Sequence, residues 1–423
     1  MKKNTLLNLE YFIAKRLITA KSHKSSISGP IIKIAVSAIA IGIIMMLVSV
    51  ATGIGLQNEI RNKISAFNGH IIVSSYDSNQ SEETLSPIST KQEFYPKFTS
   101  VPEVTHIQAV ATKTGIIRTE ATFEGTILKG VGKDYDWKSI SSYILEGKLP
   151  NVNGSLNNEI IISKFLANRL GLKLGDRFVT FFLKNEVNKY PNRRNFEIVG
   201  IFDSGFQEFD ANYIIGDIRH IQRMNKWNDD QVGAFEVFVN DFDKIEELGS
   251  KVYKSTFNAV DQTKPLDSKT IVEKYYFIFE WLKMFDINIQ IILIVMIFVA
   301  TINMVVALLV LILERTQMIG ILKALGGDNW SIRKIFLYNA LYLIGKGLLY
   351  GNAIGIGILL IQKHFGIVKL NPENYYVNQA PVDIGIANIL LLNLLTVVIC
   401  FLILLIPSVI ITKISPIKAI RYN

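Results

Sequence analysis

The chain has 423 residues, 49% of them apolar and 19% charged, with a mean hydropathy of +0.30. Soluble domains hold roughly 45–50% apolar residues with glycine already counted and about 25% charged ones, so a soluble enzyme, a disordered chain and a collagen-like chain are set aside. The single cysteine, Cys400, excludes an internal disulfide framework and a cysteine-rich metal site. The formal charge of +9 has meaning only through where it lies along the chain.

In chain order, residues 1–29 place Leu6, Leu9, Phe12, Ile13 and Leu17 on one helical face with Lys15 and Arg16 beside it. That is the pattern of an in-plane helix on the inner leaflet, bracing the span that follows. From Ile34 to Leu56 there are 23 residues without a charge, long enough to cross a bilayer at 1.5 Å rise per residue. The run is too long for a signal-peptide core and over 30 residues precede it. It is read as a retained first span, residues 30–56, with Lys33 snorkelling to the surface.

Residues 57–286 form a 230-residue insert, large enough for a core of its own. Alternating runs predict strands at His70–Tyr76, Thr105–Thr119, Gly125–Val131, Arg177–Leu183, Asn195–Ile201 and Ala234–Val239. Helical patterns fall at Thr90–Phe98, Ser163–Leu170, Asp217–Met224 and Asp243–Thr256, separated by turn punctuation. The insert therefore reads as an α+β domain, of one lobe or two. Ile54–Phe67 extends the first span and Ser268–Asp286 leads into the second, which predicts a helical stalk.

A second span occupies residues 287–313, with Asn303 expected to hydrogen-bond a neighbouring helix. Residues 314–334 make a loop, and a third span at 335–362 holds one charge, Lys346. A short loop, 363–383, precedes a fourth span, 384–412, which is uncharged over 29 residues and has Pro407 near its end. The tail is 413–423. The fold class is a membrane protein of four transmembrane α-helices, with a large α+β extracytoplasmic domain inserted between helices 1 and 2.

Residues 1–33 hold seven Lys/Arg against one acid, and the tail holds Lys413, Lys418 and Arg421 with no acid. The 57–286 insert holds 28 basic and 31 acidic residues. By the positive-inside rule both termini and the 314–334 loop are cytoplasmic, and the insert is outside. The +9 is thus a topology signal and not a nucleic-acid footprint.

No catalytic constellation is present: the five His are scattered, and there is no HExxH, no phosphate loop and no GxSxG elbow. No metal site and no catalytic residue are assigned. Within ERTQMIGILKALGGDNWSIRKIF, residues 314–336, Met318, Ile321, Leu322 and Leu325 recur at helical spacing. Gly326-Gly327 then end the helix, and Asp328 or Asn329 caps the next. Such a short helix fits both a groove on a soluble partner and a resting place on lipid headgroups. In the third span Gly347, Gly351 and Gly355 form a ridge for close helix packing, within the chain or between two copies. Lys346 beside it is an intramembrane charge, open to a functional role or to pairing and snorkelling.

The chain resembles the lipoprotein-releasing ABC transporter permeases of the LolC/LolE type, within the MacB/FtsX-like permease group. The resemblance is carried, in order, by NLEYFIAKRL, GIGLQNEIRNKI (53–64), ILKGV (127–131), NEIIISKFLANRLGLKLGD (158–176), FEIVGIF (196–202), ERTQMIGILKALGG and SPIKAIRYN. It implies a multi-pass protein of the bacterial inner membrane with a periplasmic domain, working as a dimer with a second permease copy or paralogue. A separate LolD-like ATPase carries ATP and Mg2+, and this chain binds no cofactor itself. The resemblance places Glu314, Arg315, Met318, Leu322, Lys323 and Leu325 against that ATPase. It implies a lipoprotein cargo taken from membrane lipid and passed to a LolA-like periplasmic chaperone. The hook that meets the chaperone corresponds to residues 182–195, with Pro191, Arg193 and Arg194 as its contacts, and is shorter than the usual LolC form. Extracting an acylated protein costs about 0.8 kcal/mol per CH₂, so apolar carrier surface is needed. Ile43, Met45 and Met46 of the first span are assigned as lipid- or cargo-facing, since Met adapts to irregular shapes.

Two alternatives share parts of this pattern. A MacB-like exporter of peptides or amphiphiles usually carries a fused N-terminal ATPase, which this sequence lacks. An FtsX-like regulator of a periplasmic cell-wall hydrolase fits less well with the large insert and the C-terminal segment.

Overall fold

The computed structural model describes residues 9–19, 28–78, 81–120, 122–184, 190–257 and 265–415. It divides into two compact units: Met1–Gln57, Leu282–Lys369 and Ala380–Asn423 form the first, and Asn58–Trp281 with Leu370–Gln379 form the second.

Among the described residues of the whole chain, four helices are long and apolar enough to span a membrane. They run Ser28–Asn68, Tyr276–Glu314, Asn329–Phe365 and Ile386–Ser408. The third starts six residues before its apolar run, because Asp328 caps it by accepting from the backbone N–H of Trp330 and Ser331. A short amphipathic helix, Leu9–Thr19, precedes them. Its Glu10 accepts from Ser331 Oγ at 3.1 Å and lies 3.8 Å from Lys334 Nζ. Leu6 lies outside the described residues.

The membrane unit is held by close approach between the first and third spanning helices. A Cβ at Gly347 would stand 2.6 Å from Ile39 Cγ2, at Gly351 2.8 Å from Ile43 Cβ, and at Gly355 3.0 Å from Leu47 Cδ1. The glycine ridge therefore receives Ile39, Ile43 and Leu47, themselves four apart, and its role is packing within the chain. Between the third and fourth spans, Asn352 and Asn393 exchange reciprocal amide hydrogen bonds of 2.7 and 3.0 Å.

This packing corrects two expectations. Ile43 and Met46 are fully buried in the bundle, and only Met45, 48% exposed, faces outward. Ile43 packs against the ridge at Gly351, and Met46 lies about one turn further on, also facing inward. Asn303 bonds the Val299 carbonyl of its own helix and not a neighbour. Lys346 is exposed, with its Nζ 4.6 Å from the centre of the Tyr342 ring.

In the second unit all six predicted strands are present, and six further strands join them among the described residues. The main sheet orders its strands Leu266–Thr270, Ile71–Ser75, Ala234–Val239, Val104–Arg118, Phe123–Val131, Tyr213–Asp217, Glu159–Ser163, Asn192–Phe202 and Ile144–Gly147. A tenth, Arg177–Phe182, pairs with both Val104–Arg118 and Asn192–Phe202. That strand closes a ring of six, which leaves those six without a free edge. Leu128, Phe182, Phe196, Ile160 and Ile214 supply fully buried side chains from five of them. Ile71–Ser75, Ala234–Val239 and Leu266–Thr270 extend the sheet on one side of the ring.

Two predicted helices fail. Thr90–Phe98 is irregular, broken by Pro96. Ser268–Asp286 is not one helix: Leu266–Thr270 pairs with Ile71–Ser75, and Thr270 then caps a short turn through a capping box with Glu273. The long helix begins only at Tyr276. The other three predicted helices appear as Lys164–Leu170, Arg219–Asn225 and Ile245–Phe257.

Several buried polar groups of this unit are paired, although Tyr135 OH, Thr180 Oγ1 and Ser268 Oγ find no partner among the described residues. Lys129 Nζ bonds Glu236 Oε1 at 2.5 Å and also the Phe67 carbonyl, and Gln108 Nε2 donates to the same carboxylate at 2.8 Å. His70 Nδ1 accepts the Val239 N–H at 2.9 Å, and burial pushes its pKa down to about 4. Asp210 accepts from Ser204 Oγ at 2.7 Å and Gly205 N–H at 3.1 Å; burial raises its pKa to about 6 against those bonds, with Asp203 nearby adding to the rise.

Two tests follow from this packing. Gly351→Leu is expected to lower the melting temperature of the detergent-solubilised protein, the overpacking costing about 1–3 kcal/mol. Gly357→Ala, with nothing within 4 Å of a Cβ, leaves it unchanged. The second test uses pH. Between pH 6.5 and about 4 the unfolded chain binds more protons than native His70, so acidification through that window erodes stability. Between about 6 and 3.8 native Asp210 binds more protons than the unfolded chain, so acidification adds stability. Relative to wild type, melting curves of His70→Gln should shift upward as the pH falls from 6.5 to 4, and those of Asp210→Asn downward, each by on the order of 2 kcal/mol. Parallel pH profiles would contradict both assignments.

Candidate functional site

The loop between the second and third spanning helices folds as a helix, Thr316–Ala324, with Arg315 at its N-cap and Leu325 at its C-cap. Ile319 and Gly320 are buried, which fixes which side faces the bundle. Gly326 takes φ +87°, the left-handed conformation that favours glycine. The N–H of Gly327 then returns to the Leu322 carbonyl at 2.9 Å, closing the helix before Asp328 caps the next.

The predicted apolar set divides in two. Met318 and Leu322 are half-buried and pack on the membrane-unit core, beside Ile319. Ile321 and Leu325, the latter 80% exposed, point away from it together with Gln317 and Ala324. Glu314 is exposed and Arg315 half-buried. Trp330, at the first turn of the third span, is also exposed, with Arg333 and Lys334 stacked near its ring at 5.1 and 5.9 Å. Sequence reasoning missed Trp330; its signal was a large aromatic residue two positions after a helix cap. Lys323 turns back, and its Nζ donates to the carbonyls of Ile411, Thr412 and Ile414. The exposed surface of this loop therefore includes Glu314, Gln317, Ile321, Ala324 and Leu325, and continues through the 326–329 turn to Trp330.

In the second unit the predicted hook is the hairpin between Arg177–Phe182 and Asn192–Phe202, where Phe182 pairs with Asn192. Residues 185–189 of that hairpin lie outside the described residues. Arg193 and Arg194 are not at its tip: they pair with Phe181 and Thr180 inside the ladder, so their side chains leave opposite faces. Pro191 is exposed, and so are Leu183 and Tyr190, the latter 92% exposed. Residues 416–423, which hold nearly all of the predicted C-terminal motif, are outside the described residues.

Among the described residues no group of three or more His, Cys, Asp or Glu side chains could hold a metal. The paired charges around Lys129 and Glu236 are a structural network.

A family model described as "MacB-like periplasmic core domain" matches residues 34–252, more than half of the chain. A second, "FtsX-like permease C-terminal", matches residues 290–416. The chain belongs to the MacB/FtsX-like permease family. Among curated relatives, the permease is similar to "Lipoprotein-releasing system transmembrane protein LolC" of Xylella fastidiosa, 22% identical over 98% of this chain and 99% of that one. It is similar to the LolC of Neisseria meningitidis serogroup B, 23% identical over 99% and 100%. It is also similar to the LolE of Haemophilus influenzae, 22% identical over 97% and 98%. A solved extracellular domain of the noncanonic ABC-type transporter YknZ from Gram-positive bacteria covers 48% of this chain and 100% of that one. Its 13% identity and TM-score of 0.31 are too weak a likeness to bear on the fold. The permease is thus the membrane subunit of an ABC transporter, an inner-membrane protein with a large periplasmic domain and an ATPase partner.

Substitutions on the connecting helix separate its two faces. Ile321→Asp or Leu325→Asp is expected to abolish co-purification of the ATPase subunit while leaving permease yield unchanged. Met318→Asp is expected to lower the yield and melting temperature of the permease itself, because it places a charge against the bundle. Full ATPase recovery with Leu325→Asp would remove the docking assignment.

Proposed function

We propose that this permease extracts lipoproteins from the inner membrane and passes them to a LolA-like periplasmic chaperone. The observation that carries this reading is the end-to-end likeness to LolC and LolE, over 97–99% of the chain. ATP and Mg2+ are bound by a separate LolD-like subunit, in keeping with a sequence that has no phosphate loop of its own. Two copies, or this chain and a paralogue, form the working dimer. Both termini and the 314–334 loop face the cytoplasm, which the Lys/Arg bias of those segments supports.

Ile321, Leu325 and Trp330 offer the ATPase an apolar surface with Arg333 and Lys334 at its margin. A short helix with a few exposed apolar anchors is a common way to fill a partner's groove. Cargo acyl chains meet Met45 and the outward side of the second spanning helix, where Ile291, Ile294, Phe298 and Ile302 are exposed. Removing an acyl chain from lipid costs about 0.8 kcal/mol per CH₂ unless apolar surface replaces it, and these side chains provide such surface. Leu183 and Tyr190, exposed beside the hairpin tip, are the apolar contacts proposed for the chaperone.

Depletion of the permease, in a host with no second permease of this type, followed by quantitative proteomics of separated membranes tests the cargo. Triacylated lipoproteins are expected to accumulate in the inner membrane before any division defect. Normal lipoprotein sorting would overturn lipoprotein release and leave the permease assignment standing.

A further inference from the structure

The last spanning helix changes hydrogen-bond pattern at its cytoplasmic end. Pro407 has no N–H to give to the carbonyl four residues earlier. Beyond it, the Val409 N–H bonds Ile406 and Pro407 carbonyls, and residues Val409–Lys413 continue as a 3-10 turn. This tightening leaves the Leu405 carbonyl without its α-helical N–H, and Ser408 Oγ donates to it at 2.7 Å, while the Ile411 carbonyl accepts the Ile414 N–H at 3.4 Å. Lys323 of the connecting helix and Arg333 near the start of the third spanning helix add further donors to this end. Arg333 Nη2 donates to Leu405 O at 3.0 Å and its Nε to Ser408 Oγ at 3.0 Å. Lys323 Nζ donates to Ile411 O, Thr412 O and Ile414 O at 2.8, 3.2 and 2.8 Å. An ammonium has three N–H donors, so Lys323 is saturated by these three carbonyls. Its positive charge also lies at the negative end of the helix dipole.

We propose that Lys323 and Arg333 are positioning residues, a two-point clamp that ties the ATPase-docking helix, through Lys323, and the start of the third spanning helix, through Arg333, to the end of the fourth spanning helix so that they move as one body. The inference rests on the docking role proposed above and reassigns Lys323 within it. Lys323 holds the docking helix in place from behind, while Ile321 and Leu325 on its other side meet the partner. A displacement imposed on Leu325 then reaches the fourth span directly through the polypeptide's own carbonyls, in addition to the two covalently attached spans.

The test uses the full permease purified with its ATPase subunit and reconstituted in nanodiscs, in a Cys400→Ala background. Nitroxide labels at Ala324→Cys and Lys413→Cys, both exposed positions, report the distance across the clamp with and without ATP. In the otherwise wild-type complex one narrow distribution is expected that ATP does not change. Lys323→Met should broaden it or make it ATP-dependent, adding Arg333→Gln should broaden it further, and Lys323→Arg should restore the narrow form. ATPase co-purification should stay at the wild-type level in Lys323→Met and Lys323→Arg. A narrow, ATP-independent distribution in Lys323→Met would overturn the clamp. Loss of ATPase co-purification in Lys323→Met would also overturn it, by putting Lys323 in the docking contact itself. Failure of the docking reading shows separately, as undiminished ATPase recovery with Leu325→Asp.

Discussion

Inside a bilayer a backbone carbonyl or amide has no water to turn to, so each must find its partner within the protein. Most of the membrane unit of this permease can be understood from that constraint. Four long helices meet it along their lengths, and the difficulty concentrates where regular helix stops. At the end of the fourth span a proline and a 3-10 turn break the α-helical pattern, and Arg333 of the third span and Lys323 of the connecting helix donate to carbonyls there. Asn352 and Asn393 obey the same rule: each amide satisfies the other and a carbonyl of its own helix. The glycine ridge works in the same setting, since lipid offers no hydrophobic drive between helices and contact depends on close fit.

The periplasmic unit solves a different problem. It lies in water, where an unpaired strand edge invites association with another chain. Closing six strands into a ring removes most of that hazard and builds a core from both parallel and antiparallel pairs. One buried charge is matched directly: Lys129 reaches the Glu236 carboxylate and a helix-end carbonyl at Phe67. Replacing either partner alone would leave an uncompensated buried charge. That network, like the neutral His70, contributes to the architecture.

The connecting helix shows how a correct sequence pattern divides once it is folded. Four apolar residues at helical spacing describe one wide face, yet a helix lying across the ends of two spans has two apolar demands. Met318 and Leu322 pack on the bundle, and Ile321 and Leu325 stay exposed. The cut between them depends on which side Ile319 and Gly320 turn inward, and that is set by packing against other spans. Lys323 entered the sequence reading only through the resemblance, as an ATPase contact. Its three acceptors lie about ninety residues further along the chain, beyond the reach of any local pattern.

Length, hydropathy and the Lys/Arg asymmetry were enough for four spans, the large insert and its strands with clear alternation, because those signals are local and repeat every 2 or 3.6 residues. Strands such as Glu159–Ser163 and Tyr213–Asp217, buried on both faces, lose the alternation that would mark them. Tertiary structure alone decided that Ser268–Thr270 pairs as strand, that Ile43 and Met46 turn inward, and that Arg193 and Arg194 sit within a ladder. In each case the preference of the local sequence is small, and the outcome rests on burial and hydrogen bonds offered by residues distant in the chain. The sequence by itself determined the class of molecule and its family; the direction in which each functional side chain points was settled by the neighbours it meets in the fold.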